Sequence, residues 1–109
     1  MTSLTTRSSA PLSRLTFGTM QFGGTADAAA SQAMFDAARD SGINHFDTAV
    51  LYTGGASETL LGGMIKKDRE NIYLATKVGY SGGASRDNIA KHFDMCRQHL
   101  NEDAVDLLY

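Results

Sequence analysis

Four short apolar runs, separated by three stretches with helical periodicity, constrain this chain more than any other feature. The first run, Leu15 to Phe17 within Ser13–Thr19, is ended by Gly18 and suits a strand. An Ala-rich segment, Ala26–Asp40, follows, with Ala30, Met34 and Ala37 at helical spacing, Ala33 and Ala38 beside them, and Gly42 suited to a left-handed C′ position. Asn44–Val50 reads as a second strand and Tyr52–Ala56 as a glycine-containing loop. Ser57 is the expected N-cap of a second helix, with Glu58 in its first turn and Leu60/Met64 and Leu61/Ile65 as its apolar face. Gly62-Gly63 inside it costs roughly 1 kcal/mol per glycine relative to alanine, which close packing on a sheet would offset. Asn71–Val78 is the third strand and Gly79–Ala84 a second glycine-rich loop. Ser85 caps a third helix with the stripe Ile89, Phe93, Cys96 and Leu100, ended by Asn101 and Glu102. Val105–Tyr109 begins a fourth strand.

The order β-α-β-α-β-α-β signals a parallel sheet with helical crossovers. Such a sheet needs both faces covered, and no helix follows the fourth strand. The chain therefore reads as the first half of a larger α/β unit. Residues 1–13, rich in Ser and Thr, read as a flexible arm.

Charge narrows the function classes. Ten Lys+Arg against 12 Asp+Glu give a net charge of 10 − 12 = −2. That balance provides no field for holding nucleic acid or an anionic membrane surface. One cysteine excludes an internal disulfide framework. No run approaches the roughly 20 apolar residues of a membrane span, and the N-terminus lacks the apolar core of a signal peptide. The expectation is a cytoplasmic protein.

In barrels of alternating strands and helices, reactive side chains lie at the C-terminal strand ends and in the loops that follow. That rule selects Asp47 in the second strand, Tyr52 just after it, and Lys77 near the end of the third. A charge in an apolar strand is costly unless paired, and Asp47 and Lys77 on adjacent strands can pair with each other. Tyrosine, with a free pKa of about 10, is a poor acid at neutral pH; a neighbouring ammonium stabilises phenolate and eases proton donation. The same trio also fits a purely structural ion pair with a tyrosine packed over the barrel rim.

Phe46-Asp47-Thr48-Ala49-Val50-Leu51-Tyr52, followed by Gly54, Gly55, Ser57 and Glu58, resembles the aldo/keto reductase signature. Phe17-Gly18-Thr19-Met20 is similar to that family's first-strand turn, Ala75-Thr76-Lys77-Val78 to its third-strand lysine motif, and Val105–Tyr109 to the strand before its catalytic histidine. The Tyr52-x-Gly-Gly-x-Ser-Glu form most resembles the branch of potassium-channel β subunits and bacterial NADPH-dependent oxidoreductases. The resemblance covers residues 14–109 and implies the N-terminal half of a (β/α)8 TIM barrel. It further implies NADPH-dependent reduction of an aldehyde or ketone, with Tyr52 as proton donor and Asp47 and Lys77 activating it. Gly18, Thr19, Met20 and Asp47 would line the nicotinamide end, and no metal is implied. Thr53 stands where glycine often follows the tyrosine. The histidine and the later cofactor-gripping segments fall outside these residues, so the 109-residue piece is expected to be inactive alone, with an open fourth-strand edge suited to self-association. Two alternatives are a non-catalytic regulatory or binding subunit of the same fold, and a Schiff-base barrel enzyme using Lys77.

The other candidates read as structural. His45 shares the strand face of Asp47 and suits a hydrogen-bonded interior residue. His92 and His99 lie about 10.5 Å apart along a helix, too far for one metal, and suit surface or semi-exposed positions. Cys96 falls on the buried stripe as a small core residue. Met34, Met64 and Met95 read as packing. The Gly79–Ala84 loop lacks a phosphate-cradle spacing and reads as a substrate-side loop.

Overall fold

The computed structural model describes residues 3–109; the first two residues of the expected arm lie outside them. Four strands, β1 (Phe17–Gly18), β2 (His45–Asp47), β3 (Tyr73–Thr76) and β4 (Leu107–Leu108), alternate with three helices, α1 (Ala28–Asp40), α2 (Ala56–Ile65) and α3 (Arg86–Leu100). The strands pair in the order β1-β2-β3-β4, every pair parallel. This is the open, four-stranded half of a β/α barrel.

Register assigns the faces, because side chains alternate along a strand. Phe17 pairs with Phe46, and Phe46 with Leu74, so these point toward the helices. Phe46, Leu74, Leu61, Ile65 and Leu100 are fully buried there, and Phe35 of α1 stacks 4.8 Å from Phe46. Burying such a side chain contributes about 1.5–3 kcal/mol each. The opposite face carries Gly18, His45, Asp47, Tyr73, Ala75 and Leu107 in register, and it becomes the concave interior.

The strands are shorter than the apolar runs that announce them. Asn71 belongs to a 3-10 turn, Lys66–Asn71, and Tyr52–Gly55 forms another rather than an open loop. In α1 the expected face is displaced by one residue: Ser31, Phe35 and Ala38 are buried, whereas Ala30, Ala33, Met34 and Ala37 are exposed. Met34 is thus no packing residue. Asp27 caps this helix, its carboxylate accepting from Ala30 N at 2.8 Å. The N-cap of α2 is Gly55 at φ 97°, not Ser57, which lies buried in the first turn. Gly62 packs against α3 rather than the sheet: a Cβ built there would lie 2.3 Å from the Leu100 carbonyl. The α3 stripe faces inward as its spacing predicts, with Cys96 and Leu100 fully buried.

Residues 5–13 do not trail loosely. Thr5 and Pro11 form an antiparallel bridge, and Thr6 is buried. Ser8 Oγ donates to Asn71 Oδ1 at 2.6 Å, and Ser13 N donates to Asn44 Oδ1 at 2.8 Å. The polar side chains that suggested an arm instead fasten this segment beneath the N-terminal ends of β2 and β3.

Candidate active site

Asp47 is the last residue of β2, and Lys77 follows the last residue of β3 on the same concave face. Parallel pairing of Asp47 with Ala75 sets their relative heights. Lys77 Nζ donates to Asp47 Oδ2 at 2.6 Å and to the Thr48 carbonyl at 3.0 Å. It also reaches Tyr52 Oη at 3.2 Å. One ammonium therefore joins a carboxylate and a phenol. Burial by itself pulls the Lys77 pKa down, but the hydrogen bonds to Asp47 and Tyr52 and the charge of Asp47 outweigh it, holding the ammonium above the ordinary lysine range. The second carboxylate oxygen, Asp47 Oδ1, is buried with no partner among the described residues.

Tyr52 is carried by the 3-10 turn that leads into α2. Thr53, next in line, adopts φ 52°, a left-handed conformation that a β-branched residue rarely takes. Its hydroxyl donates to the Phe22 carbonyl at 2.7 Å and accepts from Ser57 N at 2.9 Å, which holds the turn in place without glycine. Beside Tyr52 opens a cavity of about 380 Å³ lined by Ala49, Val50, Leu51, Lys77 and Tyr80. Tyr80, from the Gly79–Ala84 loop, is 92% exposed on its rim. A hollow of about 480 Å³ at the end of α3, among Asp94, Arg97 and Asn101, lies away from the strand ends.

The structure brings Asp47, Tyr52 and Lys77 together and separates the first-strand residues. Gly18 pairs with Asp47 across β1–β2, with open space where a Cβ would be. Thr19, expected at the nicotinamide end, is instead fully buried on the helix side: its hydroxyl and N–H both donate to the Asp47 carbonyl, at 3.0 and 2.9 Å, and its carbonyl accepts from Phe22 N and Ser57 Oγ. Met20 is exposed beyond the strand end. His45 Nδ1 lies 2.9 Å from Thr16 Oγ1, and its ring meets Tyr73 edge-on at 5.0 Å. Burial lowers its pKa, against the opposing charges of Asp47 and Asp106. Among the described residues no group of three His, Cys, Asp or Glu could hold a metal. No described helix is long and apolar enough to cross a membrane.

Sequence reasoning overlooked one cluster. Glu58, fully buried, accepts from Thr76 Oγ1 at 2.7 Å and sits 2.9 Å from His99 Nδ1. His99 is semi-exposed, as expected, yet it is bound into the layer between α2 and α3. Only the paired positions on three elements reveal this; the local sequence around Glu58 reads as an ordinary first turn.

A half barrel with Asp47, Tyr52 and Lys77 joined at the C-terminal strand ends has the arrangement of the class of β/α-barrel proteins that place chemistry there. The chain belongs to the aldo/keto reductase family, whose sequence model matches residues 14–109. It is 31% identical over 94% of its length to a probable voltage-gated potassium channel subunit beta of Arabidopsis thaliana. An aldo-keto reductase from Bacillus halodurans, in its holo form, superposes with TM-score 0.80 at 30% identity over 99% of this chain. A Klebsiella pneumoniae aldo-keto reductase in complex with NADPH superposes equally, with TM-score 0.80 at 25% identity over 99% of this chain. The chain spans 34% of the Arabidopsis relative and 39% of each of these two structures.

Proposed function

We propose that this chain supplies the proton-donating part of an NADPH-dependent carbonyl reductase site. The observation that carries the reading is the Lys77 ammonium held between Asp47 Oδ2 at 2.6 Å and Tyr52 Oη at 3.2 Å. Tyr52 gives its proton to the oxygen of an aldehyde or ketone as that oxygen gains charge. The phenolate left behind faces the ammonium, and Asp47 keeps that ammonium charged and in place. NADPH, when bound, supplies the hydride for the carbonyl carbon. The residues present fit it: Asp47 Oδ1 is a buried acceptor unused among the described residues, Gly18 leaves room beside it, and exposed Met20 lies just beyond the same strand end. The apolar walls of Ala49, Val50 and Leu51 suit a carbonyl compound with an apolar substituent.

A Schiff-base role for Lys77 is disfavoured, because an amine must lose its proton to attack a carbonyl and this one is held protonated. A regulatory subunit that retains the fold is the second reading, suggested by the name of the Arabidopsis relative. The test uses the natural gene product containing this chain, with NADPH oxidation followed by absorbance. Tyr52→Phe is expected to lower kcat on the order of 10²–10⁴-fold, with NADPH affinity nearly unchanged. Equal turnover by the two proteins removes Tyr52 from the mechanism. A wild-type protein with no turnover that co-purifies with a larger partner supports the regulatory reading.

A further inference from the structure

Two consecutive residues at the start of α2, Ser57 and Glu58, are both fully buried and polar, and both reach strand ends. Ser57 Oγ lies 2.8 Å from Thr48 Oγ1 and 2.9 Å from Thr19 Oγ1, and 2.7 Å from the Thr19 carbonyl. The distances allow an order in which Thr48 Oγ1 donates to Ser57 Oγ, Ser57 Oγ to the Thr19 carbonyl, and Thr19 Oγ1 to the Asp47 carbonyl, each hydroxyl proton being used once. The Thr48 carbonyl in turn accepts from Lys77 Nζ. Glu58 holds the hydroxyl of Thr76, the residue immediately before Lys77. The same helix start is fastened to the Tyr52 turn, because Ser57 N donates to Thr53 Oγ1.

We infer that Ser57 and Glu58 are positioning residues that set the separation of Tyr52 Oη from Lys77 Nζ. The inference rests on the catalytic reading of Tyr52 and Lys77 and extends it to the helix layer behind the sheet. Asp47, Lys77 and Tyr52 arrive on three segments, and strand hydrogen bonds alone fix only two of them. Val50 N donates to the Lys77 carbonyl just before the tyrosine turn and Thr53 ties the turn to Phe22, but its far end is anchored on α2, and α2 is registered on the strand ends through Thr19, Thr48 and Thr76. These buried groups touch neither the concave face nor the 380 Å³ cavity. They act through backbone position. A misplacement on the ångström scale costs up to about a hundredfold in rate, so such a clamp has catalytic weight.

The test compares Ser57→Ala, Thr76→Val and Thr76→Ser with wild type in the natural gene product. Turnover, KM, NADPH affinity and the NMR titration of 13C-labelled Lys77 Cε are read for each. Ser57→Ala and Thr76→Val are expected to lower kcat about tenfold or more while KM and NADPH affinity stay within about twofold. The Lys77 titration should move down toward the ordinary lysine range, as its bonds to Asp47 and Tyr52 loosen. Thr76→Ser, which keeps the hydroxyl, should restore both. A Lys77 titration that stays put in both damaging variants overturns the inference, whatever happens to turnover. Should Ser57→Ala fail to fold, the Thr76 pair carries the test unaided. Failure of the catalytic reading shows separately, as indifference of turnover to Tyr52→Phe.

Discussion

At the N-terminal ends of the strands, Arg69 bonds Glu102 at 2.7 Å and Asp106 at 2.8 Å, and also donates to the Ile72 and Ala104 carbonyls. Asp106 also accepts from Leu74 N, and Lys66 reaches Glu102. At the C-terminal ends, Lys77 bonds Asp47 and Tyr52, but Asp47 Oδ1 has no partner among the described residues and a cavity opens alongside. Both ends hold charge in an apolar setting. One uses its donors and acceptors to close a structure; the other leaves a carboxylate oxygen, a phenol and space. Saturation marks the end that holds β3 and β4 in register, and incompleteness marks the end where the proposed carbonyl reduction would take place.

Breaking the two ends in turn sharpens the contrast. Arg69→Met removes the guanidinium that Glu102 and Asp106 share, leaving them Lys66 and Arg7, and is expected to cost about 1.5–3 kcal/mol of stability by urea denaturation, with little change in turnover per folded molecule. Lys77→Met should do the reverse, lowering kcat by about a hundredfold or more with a much smaller loss of stability, because its pair with Asp47 is partly open to solvent. Equal stability losses in the two variants would abolish the distinction. The smallest effect is expected from His45, between the two ends. Its folded pKa lies below the ordinary value of 6.5, so the unfolded chain takes up the proton first as pH falls. Its stability is present above about pH 6.5 and is lost as pH drops toward the folded value, and His45→Gln should show a shallower loss over that window in thermal melts.

The grouping of Asp47, Lys77 and Tyr52 was legible because it contradicts its surroundings: Asp47 and Lys77 are charges in strands whose other residues are mostly apolar, and Tyr52 follows one of them. The α1 face was not, because a run of alanines offers little contrast and the buried position is taken by Ser31. Ser57 misleads for a related reason. Ser followed by Glu reads as a capped helix start, whereas Gly55 starts the helix and the hydroxyl turns inward to threonines 9 and 38 residues away. Glu58 shows no sign of burial until Thr76 and His99 are placed beside it. Local sequence carries the elements and the charged residues that meet at their ends; partnerships across layers emerge only with the fold.

Cys96 lies where these layers meet, fully buried, 3.8 Å from Thr76 Oγ1. Burial first, then the hydrogen bond to Glu58 and its charge, push the thiol up to about 12. At neutral pH the closed state carries almost no thiolate, so peroxides and disulfides find almost nothing to attack. A thiol-directed reagent will therefore count openings of the seam between α2, α3 and β3. The lone cysteine makes this protein its own stopwatch for native-state breathing, read at one named atom behind the tyrosine and lysine.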